Sequence, residues 1–209
     1  MKYILLHDKE TGDTNSKKGD VLTAYYGMVD EEGKLVDELR FKLKPDGDRM
    51  PMANPDALRV NGIDLRLHMS DSEIITYSEA KDKLRAFLGK YREKGKWSNI
   101  VPLGFNLGFD LTFEYEYLLS QEEWEKYCSY NYIDVKRDCD FLKRCGWLPR
   151  ELGKLVTYVE YFNLPKRDAH NDREDCLMTL DVHKAIKSFM DSQKTGGTSQ
   201  DLISLLEAE

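Results

Sequence analysis

The sequence predicts an α/β protein: one mixed β-sheet covered by α-helices. Three observations carry that expectation. The chain opens on an apolar run, Tyr3-Ile4-Leu5-Leu6, that ends in charged residues as a buried strand does. Two runs rich in β-branched and aromatic residues follow it as a hairpin. Beyond Thr76, helical-period segments alternate with short apolar runs, the pattern of a sheet layered with helices. At 209 residues and 41% hydrophobic content, the chain can bury one substantial core and carry a short appendage.

The first strand runs into His7-Asp8-Lys9-Glu10. Residues i and i+2 of a strand share a face, so Asp8 and Glu10 stand side by side while Lys9 points away. Adjacent like charges repel unless a cation lies between them, and a hard divalent ion such as magnesium takes oxygen ligands. An Asp-x-Glu alone is more often a solvated strand end; carboxylates arriving from distant parts of the chain change that reading. Val21 to Val29 and Lys34 to Leu43 flank Asp30-Glu31-Glu32-Gly33 and predict the hairpin, giving three neighbouring strands. The acidic turn lacks the ligand spacing of a calcium loop and reads as solvated. The prolines of Met50-Pro51-Met52-Ala53-Asn54-Pro55-Asp56 predict a loop, and residues 57–63 a connector.

Thr76-Tyr77-Ser78-Glu79 has capping-box spacing, and Ala80, Leu84, Phe87, Leu88 and Tyr91 recur at helical intervals, so a helix is expected from about Tyr77 to Glu93. Asn99 to Leu103 predicts the next strand. The segment that follows, Gly104 to Phe113, places Asp110 in the first turn of a helix. An acid there complements the helix dipole, but a glycine-flanked strand exit is also where α/β folds place ligands. Phe109 and Phe113 read as core contacts. Ser120-Gln121-Glu122-Glu123 predicts a capping box and a short helix containing Trp124. Tyr130 to Val135 reads as a strand, Asp138 to Cys145 as a helix, and Leu152 to Phe162 as a helical-period packing segment. Leu177, Leu180, Val182, Ile186 and Phe189 predict a long last helix, with His170 in the loop before it, Asp172 a candidate N-cap and Asp175 in its first turns.

Composition narrows the partners. The formal charge of −7 gives no general basic footprint for a long nucleic acid, although a cluster of metal-binding carboxylates would itself add negative charge. No apolar run approaches a membrane span, and the start lacks a signal-peptide pattern, so an intracellular, cytoplasmic location is expected. Cys128, Cys139, Cys145 and Cys176 lack C-x-x-C spacing and are expected to be reduced.

Taken together, Asp8-x-Glu10, Asn106-x-x-Phe109-Asp110 and His170 five residues before Asp175 resemble, in order and spacing, the three motifs of the DEDDh 3′→5′ exonucleases over residues 2–190. Pro55-Asp56-Ala57-Leu58 through Gly62-Ile63, and Tyr132-Ile133-Asp134, are further similar to epsilon-type proofreading subunits. The resemblance implies a ribonuclease-H-like mixed sheet flanked by helices, with an exonuclease domain over residues 1–190. It implies that Asp8, Glu10, Asp110 and Asp175 hold two magnesium or manganese ions. It makes His170 the general base for an attacking water, with an unperturbed pKa of about 6.5 suited to neutral pH. Thr11 and Leu58 become contacts to the terminal nucleotide, and Asn106 a phosphate or ligand support.

The expected substrate is then the 3′ end of a single-stranded or frayed nucleic acid, DNA in a proofreading or repair setting, releasing nucleoside 5′-monophosphates. RNA trimming is the nearest alternative, and a non-catalytic nucleic-acid-binding scaffold the alternative from another class. The complete acid set and His170 argue against the scaffold. Two departures bear on how the terminal nucleotide is held: Glu10-Thr11-Gly12-Asp13 stands where many members have Glu-Thr-Thr-Gly, and Phe105 where a histidine often precedes the asparagine.

Residues 191–209 differ in composition. Ser192 to Ser199 reads as a flexible linker, and Gln200-Asp201-Leu202-Ile203-Ser204-Leu205-Leu206 as a glutamine-led apolar peptide similar to those that bind sliding clamps. Two readings of this tail stand side by side: a peptide that reaches a polymerase or sliding clamp, and a short amphipathic helix that packs on its own domain or frays.

Overall fold

The computed structural model of the chain describes residues 2–93, 99–168 and 171–194. Strands β1 (Tyr3–Thr11), β2 (Val21–Val29) and β3 (Leu35–Lys44) pair antiparallel in chain order. A short β4 (Ile74–Thr76) adds parallel to β3. On the other side of β1, β5 (Ile100–Gly104) and β6 (Ile133–Asp134) add in parallel, giving one mixed sheet in the order β4-β3-β2-β1-β5-β6. The hairpin of the second and third strands forms as its composition predicts. The strand expected over 130–135 shrinks to two residues, because the helix after it begins at Val135.

Helices cover both faces. On one, α3 (Tyr77–Tyr91), α4 (Leu107–Tyr117) and α5 (Gln121–Trp124) pack with Leu5, Tyr26 and Phe41. On the other, α6 (Val135–Arg144), α7 (Leu155–Tyr161) and α8 (Asp172–Lys194) pack with Leu6, Tyr25 and Val29. Every residue of β2 is buried, as a central strand covered on both sides requires. The alternation of β1 divides its end: Leu5, His7 and Lys9 face one helical layer, and Leu6, Asp8 and Glu10 the other. This is the ribonuclease-H-like architecture.

The caps explain where sequence reading succeeds and where it fails. At α3 the capping box is complete, with Thr76 Oγ1 accepting from the Glu79 N–H and the Glu79 carboxylate accepting from the Thr76 N–H. At α5 it is half formed: Ser120 Oγ accepts the Glu123 N–H at 3.3 Å, while Arg85 Nε donates to the Glu123 carboxylate at 2.6 Å. The segment expected as loop and connector instead contains α1 (Pro55–Asn61). Asn54 Oδ1 accepts the Ala57 N–H at 2.7 Å, Pro55 takes the first position, where its missing N–H costs nothing, and Gly62 ends the helix at φ 70°. Prolines that break the interior of a helix are favourable at its start. A further helix, α2 (Leu65–Ser70), is capped by Asp64.

None of the described helices is long and apolar enough to cross a membrane. The last helix runs through Lys194, and the apolar peptide of the tail lies outside the described residues.

Candidate metal centre

β1 and β5 run parallel with Leu6 beside Leu103, so their C-terminal ends open at one edge of the sheet, where α/β folds bind ligands. Gly104 makes the exit possible, because a Cβ there would stand 2.9 Å from the His7 carbonyl oxygen. Asn106 follows with φ 65°, and its backbone N–H donates to Asp134 Oδ1 at 2.9 Å, turning the chain into α4. That turn delivers Asp110, buried in the first turn of α4, to the end of β1. There its Oδ1 accepts the backbone N–H of Lys9 at 3.1 Å.

The third contribution comes from α8. Asn171 caps it, accepting the Asp175 N–H at its carbonyl at 2.8 Å and the Glu174 N–H at Oδ1 at 3.5 Å. Asp172, expected as the N-cap, is instead buried, with Oδ1 2.7 Å from Arg40 Nε of β3. Its neighbour Arg173 donates from Nε to Glu38 Oε2 on the same strand at 2.9 Å. Two successive residues thus fasten the start of α8 to β3, and Asp175 projects from the next positions to the end of β1. One oxygen from each of Asp8, Glu10 and Asp175 lies within 4.8 Å of the others. Arg40 and Asp172 were not anticipated. The available signal was register: Asp8, Tyr25 and Arg40 are successive cross-strand partners and therefore share a face.

Of the other expected contacts, Thr11 and Leu58 lie near the end of β1. Thr11 Oγ1 donates to the Asp13 carbonyl at 2.8 Å, Asn61 Nδ2 donates to the Thr11 carbonyl at 3.2 Å, and the Asn54 N–H donates to the Gly12 carbonyl at 2.8 Å. These bonds dock α1, with a partly buried Leu58, against the end of β1. Gly12 is required there, since a Cβ would stand 2.1 Å from the Met52 carbonyl oxygen, which gives the departure at Glu10-Thr11-Gly12 a local purpose. Asn106 is exposed, with its side chain making no capping bond. His170 lies outside the described residues. A cavity of about 1150 Å³ lined by Lys2, Ile4, Glu31, Leu164 and Lys184 lies toward the other end of β1 and contains none of these acids.

The electrostatics are those of a cation site. Burial, then Asp110, Glu10, Asp175 and Asp172 in turn, push the Asp8 carboxyl well above the usual carboxylate range. Burial and the neighbouring acids raise Glu10 to about 8, with Arg40 pulling weakly the other way. At Asp110, burial outweighs the charge and backbone N–H of Lys9, leaving it at about 7. The donors are all carboxylate oxygens, and Arg40 and Lys9 offset only part of the burial and repulsion that raise them, so the residues fit hard divalent cations.

Metal-free protein should therefore lose stability as pH rises from about 6.5 to 8. Glu10 is raised from 4.5 to about 8, so the folded state holds protons that the unfolded chain has released, and that stabilisation is lost as pH climbs through the folded value. His7, lowered by burial to about 4, acts in the opposite direction only below its ordinary value of 6.5. Thermal melts in chelator should show the fall, and magnesium or manganese should reverse it at pH 8. A flat or rising melting temperature in chelator would contradict the acid cluster.

The fold and this cluster define a ribonuclease-H-like α/β protein with a carboxylate centre suited to divalent ions. No family model matches the chain, and none of the curated proteins does. Solved structures do match. E. coli exonuclease I in complex with a dT13 oligonucleotide superposes with a TM-score of 0.64 at 18% identity, over 90% of this chain and 41% of that one. The zinc-bound form of the E. coli exonuclease I–ssDNA complex gives 0.68 at 18% identity, over 90% and 41%. An exonuclease I complex with SSB-Ct gives 0.64 at 18% identity, over 100% and 44%. The likeness is one of fold, and the chain spans less than half the length of these proteins.

Proposed function

We propose that this chain is a divalent-cation-dependent 3′→5′ exonuclease acting on single-stranded DNA, with residues 1–190 as its nuclease domain. The observation that carries the reading is the convergence of Asp8, Glu10 and Asp175, brought from opposite ends of the chain to within 4.8 Å. Its fold is shared with exonuclease I, which has been solved with a dT13 oligonucleotide and with ssDNA. That likeness favours DNA over RNA and a nuclease over a scaffold, which has no use for a self-repelling acid cluster.

In this reading Asp8, Glu10, Asp110 and Asp175 hold two magnesium or manganese ions. Bound there, the ions supply positive charge that stabilises the attacking and leaving oxygens of an in-line displacement at phosphorus. His170 takes the proton of the attacking water. Thr11 and Leu58 hold the terminal nucleotide at the end of β1, Asn106 supports the phosphate, and Asp172 with Arg40 keeps Asp175 in place. Proofreading or repair is the setting we propose for such removal of 3′ nucleotides. Digestion of matched 3′- and 5′-labelled single-stranded DNA and RNA, with magnesium, manganese or chelator, tests the proposal. Stepwise metal-dependent shortening from the 3′ end, faster on DNA, is expected; no metal-dependent cleavage by folded protein would sink it, and faster cleavage of RNA would reassign the substrate.

A further inference from the structure

Between the two acids of β1 lies a buried cation. The side chains of Lys9 and Glu114 are both fully buried, and Lys9 Nζ donates to Glu114 Oε2 at 2.8 Å. The rest of the carboxylate is satisfied by the Tyr26 hydroxyl, which donates to Oε2 at 2.6 Å, and by the Leu119 N–H, which donates to Oε1 at 3.2 Å. His7 Nε2 also contacts Lys9 Nζ, and the Tyr26 ring lies beside the ammonium, 5.3 Å from centroid to Nζ. This cluster sits on the sheet face opposite the carboxylates of Asp8 and Glu10.

Lys9 holds α4 twice. Its side chain binds Glu114, and its backbone N–H binds Asp110 Oδ1 at 3.1 Å. Asp110 and Glu114 are four apart on one helix, so the two grips fall on the same face one turn apart. A strand and a helix joined only by apolar side chains are free to slide by fractions of an ångström, whereas two polar bonds a turn apart fix both separation and slide. Burial alone does not account for the pair, since an apolar pair of similar volume is often as stable or more so. The distance from Asp110 to Asp8 and Glu10 depends on this junction, and looseness of about 1 Å is enough to disable a designed site.

We propose that Lys9 and Glu114 are positioning residues that set Asp110 against Asp8 and Glu10, and so govern divalent-cation affinity without touching the ions. The inference rests on the metal-centre reading above. Charge alone predicts the opposite result for Lys9, because deleting a cation beside an acid cluster tightens cation binding.

The test is a calorimetric titration of manganese into the wild-type chain and the double variant Lys9→Met/Glu114→Gln, beside Lys9→Met alone. The double variant keeps the net charge of the wild type, its amide oxygen can accept the Leu119 N–H while its amide nitrogen donates to the Tyr26 hydroxyl, and it avoids the buried unpaired carboxylate that the single variant would strand. Thermal melts and circular dichroism establish the folding of each. The expected result is a folded double variant whose manganese dissociation constant is raised about 10- to 100-fold, the range for lost outer partners of metal ligands. A folded double variant that binds manganese within twofold of wild type overturns the inference while leaving the metal centre standing. A wild-type chain that binds no manganese overturns both.

Discussion

Asp8→Asn should lower the rate of 3′-end shortening by on the order of 10³-fold, the equivalent of about 4 kcal/mol of transition-state stabilisation. Asp8 stands in the cluster with Glu10 and Asp175, and burial with the charges of Asp110, Glu10, Asp175 and Asp172 pushes its carboxyl well up. Replacing it with a neutral side chain of the same shape removes charge without opening a cavity. Repulsion is relieved as well, so metal-free Asp8→Asn should melt no lower than wild type, and the melting-temperature gain on adding magnesium should disappear. This combination separates a ligand from a residue that merely supports the fold. The measurements are the labelled-DNA assay and paired melts with chelator and magnesium. A variant that keeps more than a tenth of the wild-type rate would remove Asp8 from the centre.

The second large effect concerns His170. His170→Ala should reduce turnover by about 10²- to 10⁴-fold, the range for loss of a general base, while leaving manganese affinity unchanged. A base must be neutral to accept a proton, so the wild-type rate should rise with pH through about 6.5 and level off, and the variant should lack that limb. The comparison belongs at saturating manganese. At subsaturating metal, Glu10 at about 8 and Asp110 at about 7 hold protons that compete with the ions in the same range and would add a limb of their own. An unchanged profile in the variant, or a parallel loss of manganese binding, would assign the proton transfer elsewhere.

Much of this was legible in the sequence, and the physical reasons divide cleanly. An apolar run marked β1, and two runs rich in β-branched and aromatic residues marked β2 and β3, almost to the residue, because strands packed in a sheet are built from such residues. The Thr76/Glu79 box marked the start of α3, because a cap is a local interaction. The acids of the centre were visible as ordered motifs. Elements fixed by distant partners escaped: β4 exists because three residues find the edge of β3. The same holds for side chains. Lys9 could be placed on the far face of its strand, but Glu114 lies more than a hundred residues away, and nothing local predicts their pairing. Asp172 looked like a cap because it stands at a helix start; its ion-pair partner, Arg40, is far away in sequence on β3.

Asp8 and Glu10 are made before Asp110, and Asp110 before Asp175, which stands on a helix fastened to the hairpin by the Asp172–Arg40 and Arg173–Glu38 bonds. A chain interrupted before α8 has its first strands but not its centre. If the centre acts as proposed, a partly made copy holds no cutting power, and the nuclease becomes active only once the whole domain has been translated and closed.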